Sequence, residues 1–290
     1  MHEEKKFVDL HTHSTASDGT DSPAAVVAAA GAAGLAAMAL TDHDTLAGLD
    51  EAQAAGRELG VEVVRGCEIS SGTEYGELHI LGLWLPRDAA PLEEKLVWLR
   101  QKRQERNIGI VRRLCELGLN ISMDDVLAEA GGESVGRPHI AAVLLRKGYV
   151  RDKNAAFRDY LGSGGRAYLP KTVPSPEESV RLLAGLGATV SLAHPMLRKT
   201  PAGWLESMVV RLKACGLDAI EAYHSEHSEA QVRACLALAR KHDLGVSGGS
   251  DYHGGNKPSI RIGRGYGGLR VSVAVFEDLR RRRAAAGLPV

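Results

Sequence analysis

Little in this chain ties it to a membrane, a polyanion or an oxidising compartment. Its 290 residues hold four cysteines, Cys67, Cys115, Cys215 and Cys235, and no CxxC pair; reduced thiols of a cytosolic protein are expected. Strand alternation turns Cys67 away from its neighbour Glu68, so buried packing is expected of it. No run approaches the roughly 18 apolar residues needed to cross a bilayer. The opening MHEEKKF has no apolar leader core, so a cytoplasmic location without membrane association is expected. An excess of one charge is missing too: Lys plus Arg and Asp plus Glu each total 36. No global field therefore draws the chain to nucleic acid or lipid, and any polyanion recognition must come from a local patch. Internal repeats and low-complexity linkers are absent. Apolar content of 44% and charge of 25% leave an ordinary globular chain, long enough for one large α/β core with an insertion.

What the chain has in quantity is apolar runs tipped with metal-type side chains. FVDLHTH, AMALTDH, VEVVRGCE, LHILGL, TVSLAHP and LGVSGGSDYH supply His11, His13, His43, Glu68, His79, His194, Asp251 and His253, and Asp18 follows the first run in a Gly-containing loop. A buried strand ending on such a residue delivers it at the carboxyl end, and a parallel barrel gathers its strand ends around one mouth. Nine side chains are too many for one ion, so two or three divalent cations are expected. Imidazole and carboxylate without thiolate suit manganese, iron or zinc; manganese is expected, with zinc or iron as alternatives.

Strand-like and helix-like segments alternate from the start, which predicts βα units and a parallel sheet of about seven strands, with GELHILGLWL as a strand near a hairpin. Ser22-Pro23 and Ser175-Pro176 look like helix starts. From about Pro91 to Leu161 the pattern is helical throughout, with no convincing strand. The expected architecture is thus a β/α barrel of about seven strands from residues 1–90 and 162–290, with an inserted helical cap over 91–161 for substrate recognition.

His11 and His13, two apart in an extended segment, share a face and can grip one ion; alone, they would more often be solvated loop histidines. Asp42 or Asp44 could hold the second ring nitrogen of His43, while Asp44-Thr45 could instead open the next helix. Glu68 has the two oxygens of a bridging carboxylate, or is a charge at a strand edge. His79 in an apolar run is costly to bury unpaired, and by itself would more often be a satisfied core residue. Asp251 and His253 share a face after Gly248-Gly249, which permit close backbone approach.

Together DLHTHSTASDGT, LTDHDT, GCEIS, LHILG, AHP and GSDYHG, in this order between residues 9 and 254, resemble the motif series of the polymerase-and-histidinol-phosphatase (PHP) superfamily. The resemblance implies a distorted seven-stranded β/α barrel whose two or three metal ions hydrolyse phosphate esters by attack of a metal-bound hydroxide. It places His11, His13, Glu68 and Asp251 on a first ion, Glu68, His79 and His194 on a second, and Asp18, His43 and His253 on a third. Glu68 and Asp251 thereby belong to the catalytic group, with His224 as one source of the proton for the leaving oxygen, beside another histidine or a metal-held water.

The insertion guides the substrate reading. Arg103 and Arg106 share a helix face, which could also be merely solvated, as is expected of Arg100 and Lys102. Gly136-Arg137-Pro138-His139 opens a helix where an N-terminus and an Arg suit an anion, or simply initiates it. Lys171 is a further phosphate candidate. GRPHIA and IEAYHSEH resemble the PHP branch of small stand-alone phosphoesterases that act on nucleoside 3′,5′-bisphosphates and short 5′-phosphorylated oligonucleotides. That branch implies loss of the 3′-phosphate to leave a 5′-nucleotide, with Tyr223 or His224 facing phosphate or nucleoside. Histidinol-phosphate phosphatase is the competing enzyme; a non-catalytic nucleic-acid-binding or polymerase-accessory module is the competing class, and at this length no polymerase domain follows. No stable protein partner is indicated. Arg280 to Arg283 read as a basic end to an exposed helix, favoured by the helix dipole.

Overall fold

Short runs of small and β-branched apolar residues, punctuated by Gly, Asp and Pro, fold as strands. In the computed structural model, which describes residues 6–130 and 135–290, these are β1 (Phe7–Thr12), β2 (Ala37–Leu40), β3 (Glu62–Thr73), β4 (Gly76–Leu83), β5 (Thr189–Ala193), β6 (Ala219–His224), β7 (Gly245–Gly249) and the two-residue β8 (Val271–Ser272). Most of the opening MHEEKKF lies outside the described residues. The strands form one sheet in the order β7-β6-β5-β4-β3-β2-β1-β8. Its ends meet: the Asp251 N–H donates to the His11 carbonyl and the His13 N–H to the Tyr252 carbonyl, each at 2.9 Å. The sheet is a nearly closed barrel with seven main strands. A Cβ at Gly249 would collide with the His11 backbone, so this seam requires glycine.

The helices are α1 (Pro23–Ala32), α2 (Leu49–Leu59), α3 (Ala90–Glu116), α4 (Met123–Ala130), α5 (Arg137–Arg146), α6 (Lys153–Ala156), α7 (Pro176–Gly185), α8 (Trp204–Lys213), α9 (Glu229–Lys241) and α10 (Val273–Ala285). The side chains of Ser22, Ser175 and Ser228 accept from the N–H groups of Ala25, Glu178 and Gln231, starting α1, α7 and α9. Asp44 opens no helix: α2 starts later, after Gly48, and the Asp44 carboxylate accepts the Ser70 N–H at 3.2 Å.

β4 runs antiparallel to both β3 and β5, whereas the pairs from β1 to β3 and from β5 to β7 are parallel. The sequence pattern places His79 on a strand that delivers its ligand at the carboxyl end. In the structure it lies near the amino end of a reversed strand, and the hairpin through Thr73–Gly76 turns that end to the same mouth.

Two compact units divide the chain, Met1–Glu93 with Pro174–Val290, and Glu94–Val173. The first has a core of Val8, Leu10, Ala37, Ala39, Val64, Leu83 and Ala219 with Phe276 and Leu279 of α10. The second buries Ile110, Leu114, Val126, Ile140, Val143, Leu144 and Leu161. The basic run on α10 is not uniformly exposed: Arg283 is 3% exposed, donates to the Gly187 and Pro289 carbonyls and to Thr189 Oγ1, and lies over the Trp84 ring. No described helix is long and apolar enough to cross a membrane.

Candidate metal centre

Glu68, fully buried on β3, is the hub. Five imidazoles approach its carboxylate: His11 Nε2, His13 Nε2 and His43 Nδ1 each lie 3.2 Å from Oε2, while His79 Nδ1 and His194 Nε2 lie 2.8 and 3.0 Å from Oε1. Asp251 Oδ1 is 3.3 Å from His13 Nε2 and 3.6 Å from His11 Nε2. Asp18 faces His253 Nε2 at 3.3 Å, His13 Nδ1 at 3.8 Å and His43 Nε2 at 3.9 Å. The structure thus brings all nine side chains together from six strand ends and one loop. They form three overlapping groups: His11, His13, Glu68 and Asp251; His43, Glu68 and His79; and His13, Asp18, His43 and His253. His194 joins through Glu68. His13 and His43 each belong to two groups, a sharing that the one-ion-per-histidine distribution drawn from the resemblance lacks.

The protonation pattern shows whether such a set suits cations. His11 Nδ1 lies 3.0 Å from Glu221 Oε1, which places the ring proton on Nδ1 and leaves Nε2 a lone pair. That lone pair faces His13 Nε2 only 3.1 Å away, as well as two carboxylates. Glu68 Oε2, His13 Nδ1 and His43 Nδ1 are buried without a hydrogen-bond partner, at a cost of order 1–3 kcal/mol each. Buried acceptors facing one small space are the donor set of a cation site, and nitrogen with carboxylate oxygen fits a divalent transition metal.

Lacking a cation, the same field recruits protons. Burial opposes a charged His13, but hydrogen bonds to Asp251 and Glu68 push its pKa up to about 10. Burial likewise opposes charge on His11, and the Glu221 and Glu68 carboxylates overcome it and raise its pKa. Burial dominates at His43 and His194, which are lowered. Against their own burial, the carboxyls are held well below the usual range, Glu68 chiefly by the charges of His43 and His11, Asp251 chiefly by that of His11. Metal binding here must displace protons.

Three supporting residues escape the sequence reading. Glu221, 0% exposed, accepts from both His11 Nδ1 and the His194 N–H, the latter at 2.7 Å. Asp9, also buried, takes the Ser250 and Gly263 N–H groups at 2.8 and 2.7 Å and pins the strand end before Asp251. Lys257 Nζ lies 2.6 Å from Asp251 Oδ2. Asp42 does not orient His43; it accepts from Ser14 N, Ser14 Oγ and Ser17 Oγ at 2.6–2.8 Å and braces the loop after the two histidines. A bulge between Glu221 and Tyr223 in the pairing of β6 with β7 lets Glu221 and His224, three residues apart, reach the same region. His194 and Asp251 hold positive φ of 26° and 57°, a strain of order 1–3 kcal/mol each that their backbone hydrogen bonds sustain.

His224 is buried, its Nε2 3.5 Å from Asp251 Oδ2. Tyr223 packs, half-buried, against the core around Val8 and Phe276. The other candidates lie in the second unit. Arg106 Nε donates to the Leu169 carbonyl at 2.9 Å and Arg137 to the Leu161 carbonyl at 3.1 Å. His139 Nδ1 accepts the Gly136 N–H at 3.1 Å, closing the start of α5. Arg103 lines a cavity of about 380 Å³ with Arg100, Asn107, Met123 and Leu127. Lys171 is half-buried ahead of Pro174.

The sequence profile of the PHP domain matches residues 9–118. A 5′-3′ exoribonuclease of Haemophilus influenzae is 35% identical, over 86% of this chain and 90% of its own length. A phosphoribosyl 1,2-cyclic phosphate 1,2-diphosphodiesterase of Eggerthella lenta is 34% identical, over 85% and 94%. A 3′,5′-nucleoside bisphosphate phosphatase of Chromobacterium violaceum is 32% identical, over 85% and 87%. The crystal structure of a Bifidobacterium adolescentis protein assigned as a metal-dependent phosphoesterase superimposes with a TM-score of 0.79 at 31% identity, covering 95% of this chain and 96% of that one.

Proposed function

The chain belongs to the PHP family and is a metal-dependent phosphoric ester hydrolase; from that premise we propose that it removes the 3′-phosphate of nucleoside 3′,5′-bisphosphates and leaves 5′-nucleotides, with short 5′-phosphorylated oligonucleotides as further substrates. The observation that carries the reading is the convergence of five imidazoles on the two oxygens of Glu68. Two of the three relatives named above act, by their names, on such substrates. We take manganese as the resident metal, with zinc or iron as alternatives, and the cytoplasm as the place of action.

Divalent ions in this centre would neutralise phosphoryl oxygens and supply a water-derived nucleophile at neutral pH. Glu68 would hold two of them with its two oxygens; His11, His13 and Asp251 would complete one set, His79 and His194 another, and Asp18, His43 and His253 a third. Glu221 keeps the His11 proton on Nδ1, so Nε2 stays available as a donor of electrons. His224 accepts the Glu226 N–H on Nδ1 at 3.1 Å, which leaves its proton on Nε2, facing Asp251. That N–H is our choice of hydrogen-bond donor to the leaving 3′-oxygen. Arg103, Arg106, Arg137, His139 and Lys171, with Tyr223 of the barrel, are proposed to take the second phosphate and the nucleoside; the backbone carbonyls that hold Arg106 and Arg137 keep both guanidinium groups in place.

The test offers the Mn-loaded protein adenosine 3′,5′-bisphosphate, a 5′-phosphorylated trinucleotide, a ribose 1,2-cyclic phosphate and histidinol phosphate, and identifies the products. Adenosine 5′-phosphate from the bisphosphate, lost in Asp18→Ala and His194→Ala, is the expected result. Preference for the cyclic ester or for histidinol phosphate overturns the substrate, and equal turnover by the variants overturns the site.

A further inference from the structure

Asp251 has two faces. Its Oδ1 turns to His11, His13 and His253. Its Oδ2 turns to Lys257 Nζ at 2.6 Å and His224 Nε2 at 3.5 Å. Lys257 ends the short 3-10 turn Gly254–Asn256 that follows His253, so one loop delivers two metal-type side chains and one ammonium. An ammonium has three N–H donors. Asp251 Oδ2 accepts one of them, and among the described residues the Lys257 ammonium has no other hydrogen-bond partner. Its side chain is 35% exposed, open to an incoming ligand.

A second observation points to the same space. His224 is 2% exposed, and its protonated Nε2 is buried without a hydrogen-bond partner. An unused buried donor beside a half-used ammonium calls for an acceptor rich in oxygen. By spacing, His224, Glu226 and Asp251 could hold a further cation. The Lys257 ammonium already fills that role, and unlike a bound ion it is tethered to the chain.

We propose that Lys257 is a phosphate-binding residue: it donates to a non-bridging oxygen of the phosphate group whose leaving oxygen faces His224. The inference rests on the phosphoesterase reading of the site and names a contact that the nine metal-type side chains do not provide. A phosphoryl group spreads its charge over three outer oxygens. Those turned to Glu68 and His13 would meet the ions; an oxygen on the far side of Asp251 would meet the Lys257 ammonium. The Glu226 carboxylate, exposed at this rim, works against an anion and gives a variant of opposite sign.

The experiment measures binding of inorganic phosphate to the Mn-loaded full chain by calorimetry, with Mn content determined on the same samples. Lys257→Met should weaken phosphate binding by roughly 10- to 150-fold, the value of a charge-assisted hydrogen bond, with Mn content unchanged. Lys257→Arg should restore most of the affinity, and Glu226→Gln should tighten it. Unchanged phosphate affinity in Lys257→Met overturns the proposal. So does loss of Mn from that variant, which would make Lys257 a counter-charge for Asp251 alone. Should Lys257→Met not fold, Glu226→Gln decides, and no gain in affinity overturns it. No nucleotide enters these measurements, so failure of the bisphosphate reading shows separately, as absent turnover by the wild type.

Discussion

Replacing Glu221 by Gln removes one negative charge, turns one accepting oxygen into a donating amide and changes almost no volume, and its consequences can be followed atom by atom. The wild-type carboxylate accepts twice, from His11 Nδ1 at 3.0 Å and from the His194 N–H at 2.7 Å. A Gln side chain has one accepting oxygen and one donating amide. The His194 peptide cannot reverse its N–H, so the oxygen stays there and the amide faces His11. His11 must then accept on Nδ1, its proton moves to Nε2, and that atom ceases to be a ligand for an ion near Glu68, His13 and Asp251. The lost charge-assisted hydrogen bond is worth about 1.5–3 kcal/mol, or about 10- to 150-fold in affinity. Loss of a partner behind a metal-ligating His typically costs about 10- to 100-fold. Both routes predict that Glu221→Gln binds its weakest-held Mn²⁺ ion about one to two orders of magnitude less tightly than the wild type, in a competitive titration monitored by the electron-spin signal of free Mn²⁺. An unchanged affinity and stoichiometry would refute the tautomer argument and, with it, the reading of His11 Nε2 as a ligand.

Other consequences are as direct. Gly249→Ala pushes a methyl group into the His11 backbone; strain of about 1–3 kcal/mol is expected, read as a lower thermal midpoint together with weakened Mn binding, and a wild-type midpoint would contradict the seam between β1 and β7. In the ion-free protein His13 keeps its proton up to about 10, so below that an entering ion must expel it. Apparent Mn affinity should therefore fall as pH falls, about tenfold per pH unit for each proton expelled; titrations at about pH 6 and about pH 8 that agree would exclude this linkage. Chelation should abolish phosphate release and added Mn²⁺ restore it; activity persisting in metal-stripped protein would remove the ions from the reaction.

Side-chain type told more than strand direction did. The gathering of His11, His13, His43, Glu68, His194, Asp251 and His253 could be anticipated because each closes an apolar run, and parallel strands share one end. His79 was legible as a residue too costly to bury idle and its segment as a strand near a hairpin, which the antiparallel pairing of β3 with β4 bears out; periodicity is the same for a strand in either direction, so which end of β4 carries the ligand was hidden. Glu221 lay unseen within AIEAYH because a bulge, set by the pairing of β6 with β7, cannot be read from β6 alone. Lys257 sits in a Gly-Gly-Asn-Lys-Pro loop, the composition of an ordinary solvated turn, and only the path of that loop brings it to Asp251. Arg283 misled in the opposite sense: a basic helix end normally stays in water, and its burial follows from the Gly187 and Pro289 carbonyls and the Trp84 ring, none of them near in sequence except Pro289.

Catalysis requires cations where the lone pairs of Glu68, His11 and His13 converge. Anomalous diffraction recorded at the manganese edge, from crystals grown with Mn²⁺, addresses this directly. Two or three peaks are expected, one among His11, His13, Glu68 and Asp251 and another beside Glu68 and His79. Peaks confined to other parts of the molecule, or a cluster closed by direct hydrogen bonds with no peak within it, would contradict the account.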